Sequence, residues 1–198
     1  EEGVSAFPSE VTAQMVENFL AGGAAINVLC KHNNIDIKII DAGVKVDFSD
    51  HPDLITKKVR QGTRNFAIEA AMTKEEAIQA VENGMDVFFE ENKKEKIDIL
   101  GLGEMGIGNT TSATAIICTV TGLAIKEATG RGTGIDDKGL EHKSKIIINA
   151  LNCHQLNKDN GLEILQKIGG YELAGIIGAV LAAASQKTVV VLDGVIST

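Results

Sequence analysis

The sequence contains no tryptophan, one tyrosine and six phenylalanines. So few aromatic faces leave little for unpaired bases to stack on, which argues against single-stranded nucleic acid as a partner. Positive charge is also short: 19 Lys and Arg face 27 Asp and Glu, a net charge of −8. An acidic chain is repelled by phosphate backbones and by anionic lipid surfaces, so neither nucleic acid nor a membrane is expected to bind it. The three cysteines, Cys30, Cys118 and Cys153, are far apart and form no C-x-x-C pair. A disulfide framework and a zinc site are therefore not expected, and each cysteine reads as a small buried hydrophobe on an apolar helix face. His32, His51, His142 and His154 show no i,i+4 pairing of the zincin kind, so no metal site is expected. The apolar run from Leu173 to Ala184 is broken by Gly175 and Gly178 and is shorter than the roughly 20 residues of a membrane span. No basic-then-apolar leader opens the sequence, and a cytoplasmic protein is the expectation. Both ends read as cut rather than finished, since Thr198 follows directly on a strand and its glycine turn.

What is present is enough for one sizeable core: 198 residues, 44% hydrophobic and 23% charged. After Pro8 a helix is predicted, capped by Ser9, with Val11, Met15, Phe19 and Leu20 on one face. Gly22-Gly23 interrupts it, and a second helix runs from Ala24 to Lys31 and ends near Asn33-Asn34. Ile35 to Val44 reads as a strand, and Asp47 to Phe66 as a loop marked by Pro52, Gly62, Thr63 and Asn65. Thr73 and Glu76 form a capping box for a helix to Asn92. Ile97 to Leu102 then reads as a short buried strand, followed by a glycine-rich turn and a helix from Thr110 to Thr121. A turn at Gly130 to Gly134, helices over 136–152, 162–168 and 171–184, and a buried strand over 188–192 complete the pattern. Strands alternating with helices predict an α/β fold: a Rossmann-like parallel sheet with helices on both faces.

The chemistry concentrates in Gly101-Leu-Gly-Glu-Met-Gly-Ile-Gly-Asn-Thr-Thr-Ser112, between a strand and a helix. Glycines let backbone amides approach an anion, and the helix N-terminus adds free N–H groups and a favourable dipole, so a phosphate suits it. Asn109, Thr110, Thr111 and Ser112 are expected to add caps and hydroxyl donors. Gly101, Gly103 and Gly106 satisfy the dinucleotide pattern G-x-G-x-x-G, but Thr121, Gly122 and Leu123 stand where an acidic ribose ligand belongs. No lysine follows the last glycine, so a Walker A loop fails too. A tight turn with no ligand remains an alternative, as does an NAD-binding Rossmann domain of an oxidoreductase. Glu104 at the head of the turn would repel a phosphate, so it is expected to face a ribose hydroxyl or a cationic ring. Lys143, on the helix after the Gly132-Thr-Gly-Ile-Asp-Asp137 turn, is the natural positive partner of an anion.

These residues resemble the nicotinate-nucleotide–dimethylbenzimidazole phosphoribosyltransferases. The resemblance rests on Glu104-Met-Gly-Ile-Gly-Asn-Thr-Thr-Ser-Ala113 and on Glu2-Gly-Val-Ser-Ala-Phe-Pro8 with Gln14-Met15. It extends through Gly22-Gly-Ala-Ala-Ile-Asn27, Asp41-Ala-Gly43, Gly130-Arg-Gly-Thr-Gly-Ile-Asp-Asp137 with Lys143, Gly169-Gly170 with Glu172, and Leu192-Asp-Gly194. It implies transfer of phosphoribose from nicotinate mononucleotide to 5,6-dimethylbenzimidazole or a related base, giving α-ribazole 5′-phosphate and nicotinate for cobalamin. It also implies a homodimer, no metal and no cofactor. The same resemblance implies a helical segment, 1–34, belonging to a small domain and edging the base pocket, and a Rossmann-like nucleotide domain over 35–198. Glu104 and Lys143 match active-site positions, Glu104 in an auxiliary catalytic role. Gly106, Ile107 and Gly108 match the loop at the nucleotide, and Asn109, Thr110 and Gly132 join them as candidate substrate contacts. Ser5, Phe7, Gln14 and Met15 match the edge of the base pocket, although Phe7 and Met15 would suit a core equally. The family's general-base glutamate lies beyond Thr198, so this chain alone is expected to be weakly active or inactive. A non-catalytic nucleotide-binding member of the family is the further alternative.

Overall fold

The computed structural model describes residues 2–48 and 51–197. The loop reading at Ser49 and Asp50, and the two ends at Glu1 and Thr198, lie outside the described residues. Among the described residues twelve elements follow in chain order: helices α1 (Val11–Leu20) and α2 (Ala25–Asn33), strands β1 (Ile39–Asp41) and β2 (Leu54–Thr56), helix α3 (Lys74–Lys94), strand β3 (Ile99–Gly101), helices α4 (Asn109–Thr121), α5 (Ile125–Ala128), α6 (Asp137–Cys153), α7 (Gly161–Ile168) and α8 (Tyr171–Ser185), and strand β4 (Val189–Val191). The α/β class is as predicted.

The sheet differs in detail. Among the described residues it consists of two parallel pairs, β1 with β2 and β3 with β4, rather than one continuous layer. The sequence pattern places β2 in a loop, yet Leu54-Ile55-Thr56 pairs with Ile39-Ile40-Asp41 in register. Its signal, a β-branched pair after Pro52, is too short to outweigh the surrounding turn residues. Burial of β3 and β4 on both sides, the expectation from their apolar runs, is corrected by the structure. Leu100 and Val190 pack on Phe88, Ala182 and Ala183, whereas Ile99 is 65% and Val189 59% exposed. Side chains alternate across a strand, so covering one face leaves every second residue on the other.

Helix α3 begins where its capping box places it. The Thr73 hydroxyl accepts from the Glu76 amide at 3.1 Å, and Glu76 accepts from the Thr73 amide at 2.7 Å. Glu76 also takes both arms of Arg64, at 2.6 and 3.1 Å, which fixes the loop in front of the helix. α3 lies against α8, and the two approach closely because both carry glycine at the crossing. A Cβ on Gly178 would stand 1.9 Å from the Val81 carbonyl oxygen, and one on Gly84 would stand 2.0 Å from that of Gly175. Ala71, Met72, Ala77, Ala80, Leu165, Tyr171, Leu173 and Ala174 form the core at this junction. A second cluster, Ala115, Ile147, Ile164 and Ile168, joins α4, α6 and α7. Each large aliphatic side chain so buried stabilises by about 1.5–3 kcal/mol before its entropy cost.

Three smaller readings are corrected. Ser9 does not cap α1: its N-cap is Glu10, without a side-chain hydrogen bond, and the Ser9 carbonyl accepts from Thr12 instead. Cys30 and Cys118 are buried as expected, but Cys153, in the last turn of α6, is exposed. The short helix α5 has no counterpart in the predicted pattern, since four residues within a connection are too few to show a period.

Candidate functional site

The glycine-rich turn leaves β3 at Gly101 and enters α4 at Asn109. Gly108 makes that entry possible: at φ +92° it occupies a left-handed conformation that a side chain would strain. It is also the N-cap of α4, and it supplies no side-chain oxygen to the first turn. The expected capping by Asn109 and Thr110 is not found, because both side chains point to other partners. The Asn109 amide donates to the Glu104 carboxylate and packs 3.3 Å from where a Cβ on Gly106 would stand. The Thr110 hydroxyl accepts from Lys143 Nζ at 2.8 Å. Neither the Gly108 nor the Thr110 backbone N–H has a hydrogen-bond acceptor among the described residues. Two free donors and the positive end of the α4 dipole thus meet at the turn. Ser112 donates instead to the Ile168 carbonyl, and the buried Thr111 hydroxyl has no partner among the described residues.

Lys143 projects from α6 towards the same turn. It is 1% exposed, and its ammonium is held by the Thr110 hydroxyl and the Gly130 carbonyl, the latter at 3.3 Å. Among the described residues it has no carboxylate partner. Asp41 instead pairs with Lys58 at 3.2 Å, and Asp137 with Arg131. Burial pushes the Lys143 ammonium below its ordinary range, since nothing negative offsets the lost hydration. A buried cation on two neutral oxygens is costly, and an anion would relieve the cost.

Gly132 joins the two loops. Its φ is +53°, and a Cβ there would lie 2.8 Å from the Thr110 hydroxyl and 3.3 Å from Lys143 Nζ. The 130–134 turn can lie against the Thr110–Lys143 pair only with glycine at this position. Asp136 caps α6 by accepting from the Gly139 amide at 2.8 Å, so the helix carrying Lys143 starts at the end of that turn.

The amino-terminal segment is tied to both turns. Ser5 and the Ala6 amide meet the Thr133 hydroxyl at 3.0 and 2.9 Å, and the Ile107 amide donates to Thr12 at 3.2 Å. His142 Nε2 lies 2.7 Å from the Glu2 carbonyl, beside Lys143 in sequence. Thr12, Thr133 and His142 are not among the candidates that the sequence singles out, as single polar residues carry no signal without coordinates. Phe7 is 52% exposed and Gln14 is exposed, while Met15 is half-buried. Phe7 is therefore not part of the core. A separate open depression of about 750 Å³ between α1 and α2 is lined by Ala21, Gly22, Asn27, Val28, Lys31 and His32. It contains none of the candidate residues. Among the described residues no group of three or more His, Cys, Asp or Glu could hold a metal ion, and no helix is long and apolar enough to cross a membrane.

Residues 1–198 match the family model described as phosphoribosyltransferase. A protein of Citrifermentans bemidjiense named nicotinate-nucleotide–dimethylbenzimidazole phosphoribosyltransferase is 50% identical over 198 residues, which are all of this chain and 56% of that protein. A Chloroflexus aggregans protein of the same name is 48% identical over 196 residues, 99% of this chain and 55% of its own length. The crystal structure of CobT from Thermus thermophilus superposes with a TM-score of 0.93 at 41% identity, covering 99% of this chain and 58% of that one. The chain thus spans about half the length of the curated relatives it matches. Sequence and fold agree over the whole chain, and it belongs to the nicotinate-nucleotide–dimethylbenzimidazole phosphoribosyltransferase family.

Proposed function

We propose that this chain forms the nucleotide-holding part of an enzyme that moves phosphoribose from nicotinate mononucleotide to 5,6-dimethylbenzimidazole or a related base. The products are α-ribazole 5′-phosphate and nicotinate, as in the lower-ligand branch of cobalamin assembly. The observation that carries the reading is Lys143: a buried ammonium without a counter-ion among the described residues, beside two free loop amides.

In this reading the 5′-phosphate sits between Lys143, the Gly106–Thr110 turn and the Gly132 backbone. Glu104, held by Asn109, faces the ribose. The C1′–nitrogen bond of the pyridinium breaks, its electron pair returns to the ring, and nicotinate departs. The incoming imidazole nitrogen attacks C1′ from the opposite face, inverting it. Positive charge gathers on C1′ and the ring oxygen during the exchange, and a nearby carboxylate stabilises it. Fixing the phosphate holds the sugar in place, so much of the acceleration is positional. The proton released by the imidazole goes to a general base, which by family resemblance is a glutamate beyond Thr198. Ser5, Phe7, Gln14 and Met15 form the edge of the base pocket, where the exposed Phe7 ring offers a flat apolar face. The working enzyme is a cytoplasmic homodimer, and residues 1–34 belong to its small domain.

Thermal denaturation with added nucleotides tests the reading. Nicotinate mononucleotide should raise the melting temperature in proportion to the logarithm of its concentration, and nicotinate riboside, which lacks the phosphate, should raise it far less. Protection by NAD with none by nicotinate mononucleotide would instead favour the oxidoreductase reading.

A further inference from the structure

Residues 4–7 carry two members of the base-pocket edge, Ser5 and Phe7, yet they belong to no helix or strand. They make no backbone–backbone hydrogen bond among the described residues. Their hydrogen bonds to the rest of the molecule come from one side chain. The Thr133 hydroxyl accepts from the Ala6 amide at 2.9 Å and meets Ser5 Oγ at 3.0 Å. Ser5 Oγ in turn accepts from the Phe7 amide at 3.3 Å, so three consecutive residues hang on a single hydroxyl. The neighbouring anchors lie to either side along the chain: Glu2 with Asn65 and His142, both at 2.7 Å, and Thr12 with the Ile107 amide at 3.2 Å. Thr133 stands in the 130–134 turn between two glycines in left-handed conformations, Gly132 at φ +53° and Gly134 at φ +95°. The Arg131 carbonyl closes the turn by accepting from the Gly134 and Ile135 amides at 3.0 and 3.2 Å, which fixes the direction of the hydroxyl. One residue back, Gly132 rests on Thr110 and Lys143. A single peptide link therefore separates the backbone assigned to the phosphate from the hydroxyl that holds the base edge.

We propose that Thr133 is a positioning residue that couples the two halves of the site. A phosphate seated at Gly132 and Lys143 fixes the turn, and the Thr133 hydroxyl passes that order on to Ser5 and Phe7. The inference rests on the phosphoribosyl-transfer reading of the site. With the phosphate absent, the 4–7 segment is held by hydrogen bonds that water can replace, and a base that binds there must order it. With the phosphate present, part of that ordering has already been done, so the base binds at a smaller entropy cost. The coupling is reciprocal: a bound base strengthens the hold on the sugar phosphate by the same factor. The base is thus held best where a phosphoribosyl donor already stands beside it.

Two substitutions separate the hydroxyl from the shape of the side chain. Thr133→Val keeps the β-branched form and removes the hydroxyl, whereas Thr133→Ser keeps the hydroxyl. Calorimetry measures binding of 5,6-dimethylbenzimidazole with and without saturating ribose 5-phosphate, which carries the sugar and phosphate but no leaving group. The unsubstituted chain and Thr133→Ser should bind the base about fivefold or more tightly with the sugar phosphate present. Thr133→Val should lose that gain and bind the base about tenfold more weakly, the scale of one hydrogen bond, with affinity for nicotinate mononucleotide kept within about threefold. Amide hydrogen exchange supplies the second readout. Ribose 5-phosphate should slow exchange at Ala6 in the unsubstituted chain but not in Thr133→Val, and the Ile107 amide, held by Thr12, should not respond to the substitution. A Val variant that keeps the gain, or a Ser variant that loses it as Val does, would overturn the coupling role. If the unsubstituted chain binds no nicotinate mononucleotide, the functional reading fails and the coupling with it. Nucleotide binding together with an unaltered Val variant defeats the coupling alone.

Discussion

At the scale of single residues, the site depends on a cation and a glycine whose roles are complementary. Lys143 is buried against two oxygens that carry no full charge, and its pKa is lowered by desolvation from the ordinary 10.5. Below that depressed pKa the native state carries the cost of a buried charge. Between it and 10.5 the unfolded chain binds the extra proton, so the Lys143 contribution to stability rises with pH. Binding of an anion has the opposite sense, because it requires the charged ammonium. Affinity for nicotinate mononucleotide should therefore fall as pH rises through the depressed lysine pKa, and calorimetry over a pH series checks this. Lys143→Met should remove the fall together with most of the affinity. Gly132→Ala tests the second residue. Its φ of +53° costs about 1–2 kcal/mol with any side chain, and the new Cβ would press on the Thr110 hydroxyl. Urea denaturation should show a loss of that order, and phosphate binding should weaken with it.

At the scale of elements, stability is concentrated where α3 meets α8. Gly178→Ala would put a methyl group 1.9 Å from a backbone oxygen that cannot rotate away, so the helices must separate. A loss of about 1–3 kcal/mol or more is expected in chemical denaturation, against the roughly 1 kcal/mol that alanine gains at an open helical site. The start of α3 makes a smaller contribution. Thr73→Ala should cost about 1 kcal/mol by breaking the capping box. The Arg64 guanidinium holds the Glu76 carboxyl below its usual range, so its contribution is present above about pH 4.5 and is lost as pH falls through the lowered value. Glu76→Gln should lower the melting temperature at neutral pH and converge on the unsubstituted chain in acid. The helices are legible in the sequence because capping residues and 3.6-residue periodicity are local signals. β2 is not, since a three-residue strand draws its stability from its partner β1. The exposed faces of β3 and β4 escape sequence reasoning for a related reason: an apolar run shows that a strand can be buried, but not which neighbour covers each face. Ser9 fails as a cap because the helix begins two residues further on, where the Ser9 carbonyl rather than its hydroxyl is used.

At the scale of the molecule, distant stretches of chain converge on the end of β3: the 101–109 turn, the 130–134 turn, α6 and the amino-terminal segment. The glycine-rich turn can be picked out from sequence because it combines strand, glycines and helix in one run. Lys143 can be paired with it only through chemistry and family resemblance, because the 33 positions separating it from Thr110 leave no periodic trace. The central claim is that Lys143 and the glycine-rich turn hold the phosphate of a nucleotide. Isothermal calorimetry of nicotinate mononucleotide with this chain and with Lys143→Ala tests it most directly. A saturable enthalpy that Lys143→Ala weakens by about 1.5–3 kcal/mol is the predicted result. Equal affinity in the two folded proteins would contradict it and place the phosphate elsewhere.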